Sequence, residues 1–174
     1  MGQPPWHCAL SLSPLPLMHT LSCESAAPPT WVIHCDGSAL PNPGRMGLGA
    51  VIVAPDGSRQ ILSEATHCIG CNNEAELRAV MTALRRLPPE CRHVMVYSDN
   101  SILVDQLRQT EVKPLARLAV LFDEARSVLT TFETVTLQWI PRHRNSEADA
   151  LARGSLGLGP KMSSKTSKAH RHRS

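Results

Sequence analysis

The hydrophobic period of this chain changes at residue 72, and that change constrains its fold more than any other feature. Before it, apolar residues alternate. WVIHCDGS (31–38) puts Trp31, Ile33 and Cys35 on one face and Val32, His34 and Asp36 on the other. That is a strand, followed by the turn-forming stretch LPNPG (40–44). GLGAVIVAPDG (47–57) reads as a second strand ending in an Asp-Gly hairpin signal, and SRQILSEATHCIG (58–70) as its return. The sheet therefore begins as an antiparallel meander. From NNEAELRAVMTALRRL (72–87) onward the period is helical. Leu77, Val80, Met81, Leu84 and Leu87 fall on one stripe, which Pro88 and Pro89 stop.

HVMVYSDN (93–100) is a short apolar strand ending at Asp99. Residues 100–109 and 114–130 read as helices, the second opened by Pro114 at a favoured first position. TVTLQWI (134–140) is a last strand, and NSEADALARG (145–154) a capped helix closed by glycine. Strands separated by helices pair in parallel through right-handed crossovers. The order βββ-α-β-α-α-β-α thus predicts an α/β domain: a five-stranded mixed sheet with helices on both faces. If the strand at 93–98 neighbours the first, Asp36 and Asp99 stand side by side as the last residues of their strands. Open α/β sheets bind ligands in the crevice beyond those carboxyl ends. The plain alternative is that both are Asx-turn residues ending strands.

Length and charge set the limits around this core. A chain of 174 residues predicts one domain with tails. Residues 1–30 hold six prolines and no Lys or Arg, and read as a disordered leader or an over-long start preceding Met18. They lack the basic and apolar regions of a secretory signal and the arginines of a transit peptide. Residues 31–156 form the folded domain and are nearly neutral. Residues 157–174 form a flexible basic tail that carries the excess positive charge. No apolar run approaches the roughly 20 residues of a membrane span. Six cysteines include one CxxC, Cys68 and Cys71, with no second pair at zinc-site spacing. Reduced thiols in a cytoplasmic protein are the expectation, with no protein partner implied and a monomeric state.

In DGSALPNPG (36–44), NNEAEL (72–77), SDN (98–100) and ADALAR (148–153) the chain resembles type 1 ribonuclease H, in motif order and in element order. The resemblance covers about residues 31–153. It implies a ribonuclease H-like fold and an endonuclease that hydrolyses the RNA strand of RNA–DNA hybrids, leaving 5′-phosphate and 3′-hydroxyl ends. It also implies two divalent ions, Mg2+ or alternatively Mn2+, bound by Asp36, Glu76, Asp99 and Asp149. Oxygen-only ligands suit such hard ions, and converging carboxylates need a cation to offset their repulsion. On a helical wheel Glu74 and Glu76 flank the stripe equally, as do Glu147 and Asp149 in the last helix; only the resemblance chooses within each pair. Asn42, Asn72 and Asn73 match positions that grip the RNA strand, where an amide can both donate to and accept from a 2′-hydroxyl. Helix capping remains compatible with Asn72.

The chain departs from the family in three places. PRHRN (141–145) is shorter than the loop that carries an assisting histidine in bacterial prototypes. His143 is therefore either that catalytic group or a solvated residue, while Arg142 and Arg144 are expected to meet phosphates. Ser101 stands where a substrate-binding Gln is frequent, which weakens that contact. The basic helical protrusion is missing, as in the short archaeal-type branch, and members without it are expected to hold substrate less strongly. A broader-specificity or non-catalytic nucleic-acid module, including one that takes double-stranded RNA, is the alternative. Transposases, integrases and junction resolvases share the fold but lack NNxxEL.

Overall fold

The computed structural model describes residues 27–108 and 116–159. Pro114, most of the leader and the tail from Pro160 onward lie outside the described residues. Within them the order is β1 (Thr30–Leu40), β2 (Gly44–Val53), β3 (Arg59–Gly70), α1 (Asn72–Arg85), β4 (His93–Ser98), α2 (Ser101–Arg108), α3 (Ala119–Leu129), β5 (Thr134–Trp139) and α4 (Ser146–Ser155). Single 3-10 turns occupy Ala116–Leu118 and Arg142–Arg144.

The strands form one mixed sheet in the order β3-β2-β1-β4-β5. β1 pairs antiparallel with β2 and parallel with β4, and β4 pairs parallel with β5. The β2–β3 hairpin turns at Asp56-Gly57. There the Gly57 N–H donates to the Ala54 carbonyl at 2.9 Å, with Gly57 at φ +85°.

The alternation in β1 and the stripe of α1 meet in the core. Ile33 and Cys35 of β1, Val94 and Val96 of β4, and Leu77, Val80, Met81 and Leu84 of α1 are all buried. Each such side chain contributes roughly 1.5–3 kcal/mol by leaving water. α1 packs on β1 and β2, and α3 packs on α1; α4 packs on β2, β1 and β3. Two glycines hold α1 and α4 on opposite faces. A Cβ on Gly37 would stand 2.1 Å from the backbone nitrogen of Glu76, and one on Gly49 would stand 2.3 Å from the Ala148 carbonyl oxygen. No other residue fits between backbones that close. The helix turns carrying Glu76 and Asp149 are thereby pressed against the same end of the sheet.

Three local expectations are corrected. Asp36 does not end its strand. β1 continues to Leu40 because the antiparallel ladder with β2 runs on to Leu40↔Arg45. Only the parallel half stops early, at His34↔Tyr97, which leaves Asp36 just past it. Second, Gly154 does not close α4. The helix reaches Ser155 and ends at Gly157 (φ +76°), whose N–H donates to Gly154 while the Leu158 N–H donates to Arg153. This paired closure is the Schellman arrangement. Third, neither Asn72 nor Asn145 makes a side-chain cap, since α1 and α4 begin without one.

Candidate active site

β4 delivers Asp99 to the end of the sheet, and the chain then turns at once into α2. Asn100 caps that helix, its Oδ1 accepting from the Leu103 N–H at 3.1 Å. Asp36 comes from β1, Glu76 from the first turns of α1 and Asp149 from α4. All four open onto one cleft of about 350 Å³, together with Asn72, Ser101 and Arg142. At roughly 30 Å³ per water, that volume holds about ten waters, enough for ions and a phosphate group.

The structure separates both carboxylate pairs that the helical wheel leaves open. Glu74 is ion-paired with Arg78 at 2.9 Å and does not line the cleft, whereas Glu76 does. Glu147 pairs with Arg59 at 2.8 Å and lines a separate groove behind the site, whereas Asp149 lines the cleft. Asp149 accepts from Arg142 at 3.0 Å, and Arg153 stands 4.0 Å from its other oxygen.

The amides at the rim are interlocked. Asn72 Oδ1 accepts from the Ala39 N–H at 2.7 Å, and the Asn72 backbone N–H donates to Asn42 Oδ1 at 3.1 Å. The end of β1 is thus fastened to the start of α1. Asn73 Oδ1 accepts from Asn100 Nδ2 at 3.3 Å and lies outside the cleft lining. His143 and Arg144 are exposed on the 3-10 turn; Arg144 faces the groove behind the site, and His143 lines neither space. Asn145 was missed as a site residue. It is buried, and its Nδ2 donates both to Asp99 Oδ1 at 2.7 Å and to the Cys35 carbonyl at 2.9 Å. Nothing in the sequence separates such an asparagine from an ordinary helix cap.

Burial and mutual repulsion shape the electrostatics. Burial pushes the Asp36 carboxyl up to about 7, with Asp99 and then Asp149 adding to the rise. Glu76 is pushed up to about 8 by burial and then by Asp36, against an opposing hydrogen bond from Asn100. Arg142 is raised, first by its bond to Asp149. Among the described residues no three His, Cys, Asp or Glu side chains stand close enough to chelate one ion. Arg142 and Asn145 hold Asp149 and Asp99 instead. The donor set still fits hard divalent cations. It is all oxygen, Glu76 Oε2 is buried without a hydrogen-bond partner, and two of the acids resist ionisation in the absence of added positive charge.

A sheet of this order, with acids gathered where the parallel β1–β4 ladder stops, defines a ribonuclease H-like α/β domain. A family model described as reverse transcriptase-like matches residues 34–155. The chain is 31% identical over 143 residues to a ribonuclease H of Cupriavidus pinatubonensis, covering 73% of this chain and 96% of that one. It is 31% identical over 128 residues to a bifunctional protein of Mycobacterium tuberculosis, covering 72% of this chain and 35% of the relative. The chain therefore spans about a third of that relative's length. The solved N-terminal ribonuclease H domain of that protein superposes with a TM-score of 0.66 at 28% identity, covering 72% of this chain and 98% of the domain. A ribonuclease H1 isolated from compost, solved with an RNA/DNA hybrid, gives 0.64 at 25% identity, covering 73% and 96%. The chain belongs to the type 1 ribonuclease H family.

Proposed function

We propose that the chain is an endonuclease that hydrolyses the RNA strand of RNA–DNA hybrids. In this reading Asp36, Glu76, Asp99 and Asp149 hold two divalent ions, Mg2+ or in its place Mn2+. The observation that carries it is the opening of these four acids onto one cleft with Asn72 at its rim. Bound ions supply an activated water and stabilise the leaving oxygen of a phosphodiester.

The chain's own residues orient the substrate. Asn72 spends its Oδ1 on Ala39, which turns its NH2 group toward an acceptor such as a 2′-hydroxyl. Asn42 and Asn73 extend the amide row along the RNA strand, and Ser101 offers a hydroxyl at the mouth of α2. Arg142 leaves Asp149 to meet a phosphate, and Arg144 meets one farther along the duplex. His143, exposed on the same turn and outside the cleft lining, assists by moving a proton once substrate draws that turn inward. The hybrid reading also draws on the compost enzyme, which was solved with an RNA/DNA hybrid.

The test is cleavage of four labelled substrates: an RNA–DNA hybrid, double-stranded DNA, double-stranded RNA and single-stranded RNA. The expected result is Mg2+-dependent cutting of the RNA strand of the hybrid alone, leaving 5′-phosphate ends, and none in EDTA. Equal cutting of double-stranded RNA would point to the broader specificity. Binding of the hybrid with no cutting in Mg2+ or Mn2+ would point to a non-catalytic module.

A further inference from the structure

Asn145 occupies a position that its place before α4 does not explain. It stands at the helix start yet makes no cap, and it is only 1% exposed. Its two amide hydrogens go to different strands of the site. One reaches the Cys35 carbonyl on β1, next to Asp36, and the other reaches the Asp99 carboxylate beyond β4. The parallel ladder stops at His34↔Tyr97, so neither Cys35 nor Asp99 has a register partner across that gap. Asn145 spans it. The 2.7 Å bond to Asp99 is as short as a charge-assisted hydrogen bond.

The Asp99 backbone is held separately. Trp139 Nε1 donates to the Asp99 carbonyl at 3.1 Å, which fixes the peptide but not the side-chain torsion. Asn145 Oδ1 is buried and has no partner. An unsatisfied buried acceptor is unfavourable, and an apolar side chain of similar size would pack there without it. The gain from Asn145 therefore lies in what its NH2 group holds.

We propose that Asn145 is a positioning residue for the reaction: its amide sets the Asp99 carboxylate at a fixed orientation and distance from Asp36, so that both are preset for a divalent ion. This rests on the ribonuclease reading above. Groups that orient a metal's ligands commonly change its affinity by about 10–100-fold when removed.

The experiment measures Mg2+ binding by calorimetry on the full chain, alongside hybrid cleavage across a Mg2+ titration. Wild type, Asn145→Ala and Asn145→Ser are compared with Val94→Ala, a core change at the far end of β4. The Asn145 variants are expected to bind Mg2+ at least about tenfold more weakly. Their kcat should fall while KM for the hybrid stays within about twofold, and excess Mg2+ should partly restore the rate. Val94→Ala should lose thermal stability and keep wild-type Mg2+ affinity. Asn145→Ser keeps a small polar group in the site should the alanine variant not fold. Wild-type Mg2+ affinity in a folded Asn145 variant would overturn the proposal, as would an equal loss of affinity in Val94→Ala. If wild type itself neither binds Mg2+ nor cuts the hybrid, the ribonuclease reading fails and the proposal with it. If wild type does both and the Asn145 variants match it, the proposal alone fails.

Discussion

Gly37 lies directly against Glu76: a Cβ on the glycine would stand 2.1 Å from the glutamate's backbone nitrogen. The contact sets how close α1 comes to β1, and hence how near Glu76 stands to Asp36. Gly37→Ala must push the first turn of α1 outward. Overpacking of this kind costs about 1–3 kcal/mol, and more when backbone meets backbone. The expected outcome is a folded but less stable protein with hybrid cleavage reduced at least a hundredfold. Gly57→Ala, whose Cβ meets nothing within 4 Å, should cost only the strain of its positive φ and leave cleavage intact. Thermal melts and cleavage rates of the two variants check this, and equal activity would sever the link between Gly37 and the site.

The raised carboxyls make the metal-free protein sensitive to pH. The folded values of Asp36 and Glu76, about 7 and about 8, lie above the unfolded range near 4. The folded state therefore holds more protons than the unfolded one between those limits. Stability is fully present below about pH 4 as far as these two groups decide it, and it is lost as pH rises through about 7 to 8. The loss is on the order of 4 kcal/mol for each group, set mainly by burial, the first cause of both rises. Melting in EDTA from pH 5 to pH 9 should show the decline. Asp36→Asn should flatten it, and saturating Mg2+ should remove most of it. A melting temperature that rises over that range in EDTA would contradict the assignment.

Much of this site was legible because Glu76, Asp99 and Asp149 sit near element ends that the hydrophobic pattern reveals. The switch of period at residue 72 placed Glu76 near the start of a helix, and the short apolar run from His93 placed Asp99 at its end. The sequence could not show that β1 continues past Asp36. One strand here pairs with β2 on one edge and β4 on the other, and the two ladders stop at different residues. Nor could a helical wheel separate Glu74 from Glu76. Arg78 and the approach of Gly37 do so, and both are tertiary facts. Asn72 and Asn145 look like helix caps in any local reading. Each instead bonds a residue far off in sequence, Ala39 in one case and Cys35 with Asp99 in the other.

The interlocked amides allow the substrate contact to be separated from the structural one. Asn72→Asp keeps an oxygen for the Ala39 N–H but replaces the outward donor with a negative charge. Stability should change by less than about 1 kcal/mol, the worth of one ordinary hydrogen bond. The KM for the hybrid should rise about tenfold or more, with a smaller change in kcat. Asn72→Ala removes both functions, so it should add a loss of stability to the same rise in KM. Steady-state kinetics beside melting curves distinguish the cases; an unchanged KM in Asn72→Asp would leave Asn72 as a structural clasp only.

The positive charge beyond Gly159 is expected to bear on binding rather than on chemistry. Lys161, Lys165, Lys168, Arg171 and Arg173 follow a domain that is itself nearly neutral. Removing residues 160–174 should weaken hybrid binding at low salt and spare turnover at saturating substrate. The dependence of log affinity on log salt should become shallower by roughly one unit per lost phosphate contact, hence by up to about four or five. Binding measured across a salt series decides the matter, since an identical slope with and without the segment means that it makes no phosphate contacts.

The central claim is that Asp36, Glu76, Asp99 and Asp149 form one cation-dependent catalytic centre. It is tested most directly by pairing cleavage with melting in Asp36→Asn. The account predicts no hybrid cleavage in Mg2+ or Mn2+, together with a melting temperature in EDTA above that of wild type at pH 8, where relief of carboxylate repulsion is greatest. Cleavage persisting in this variant at more than a trace, or a melting temperature in EDTA below wild type, would contradict it.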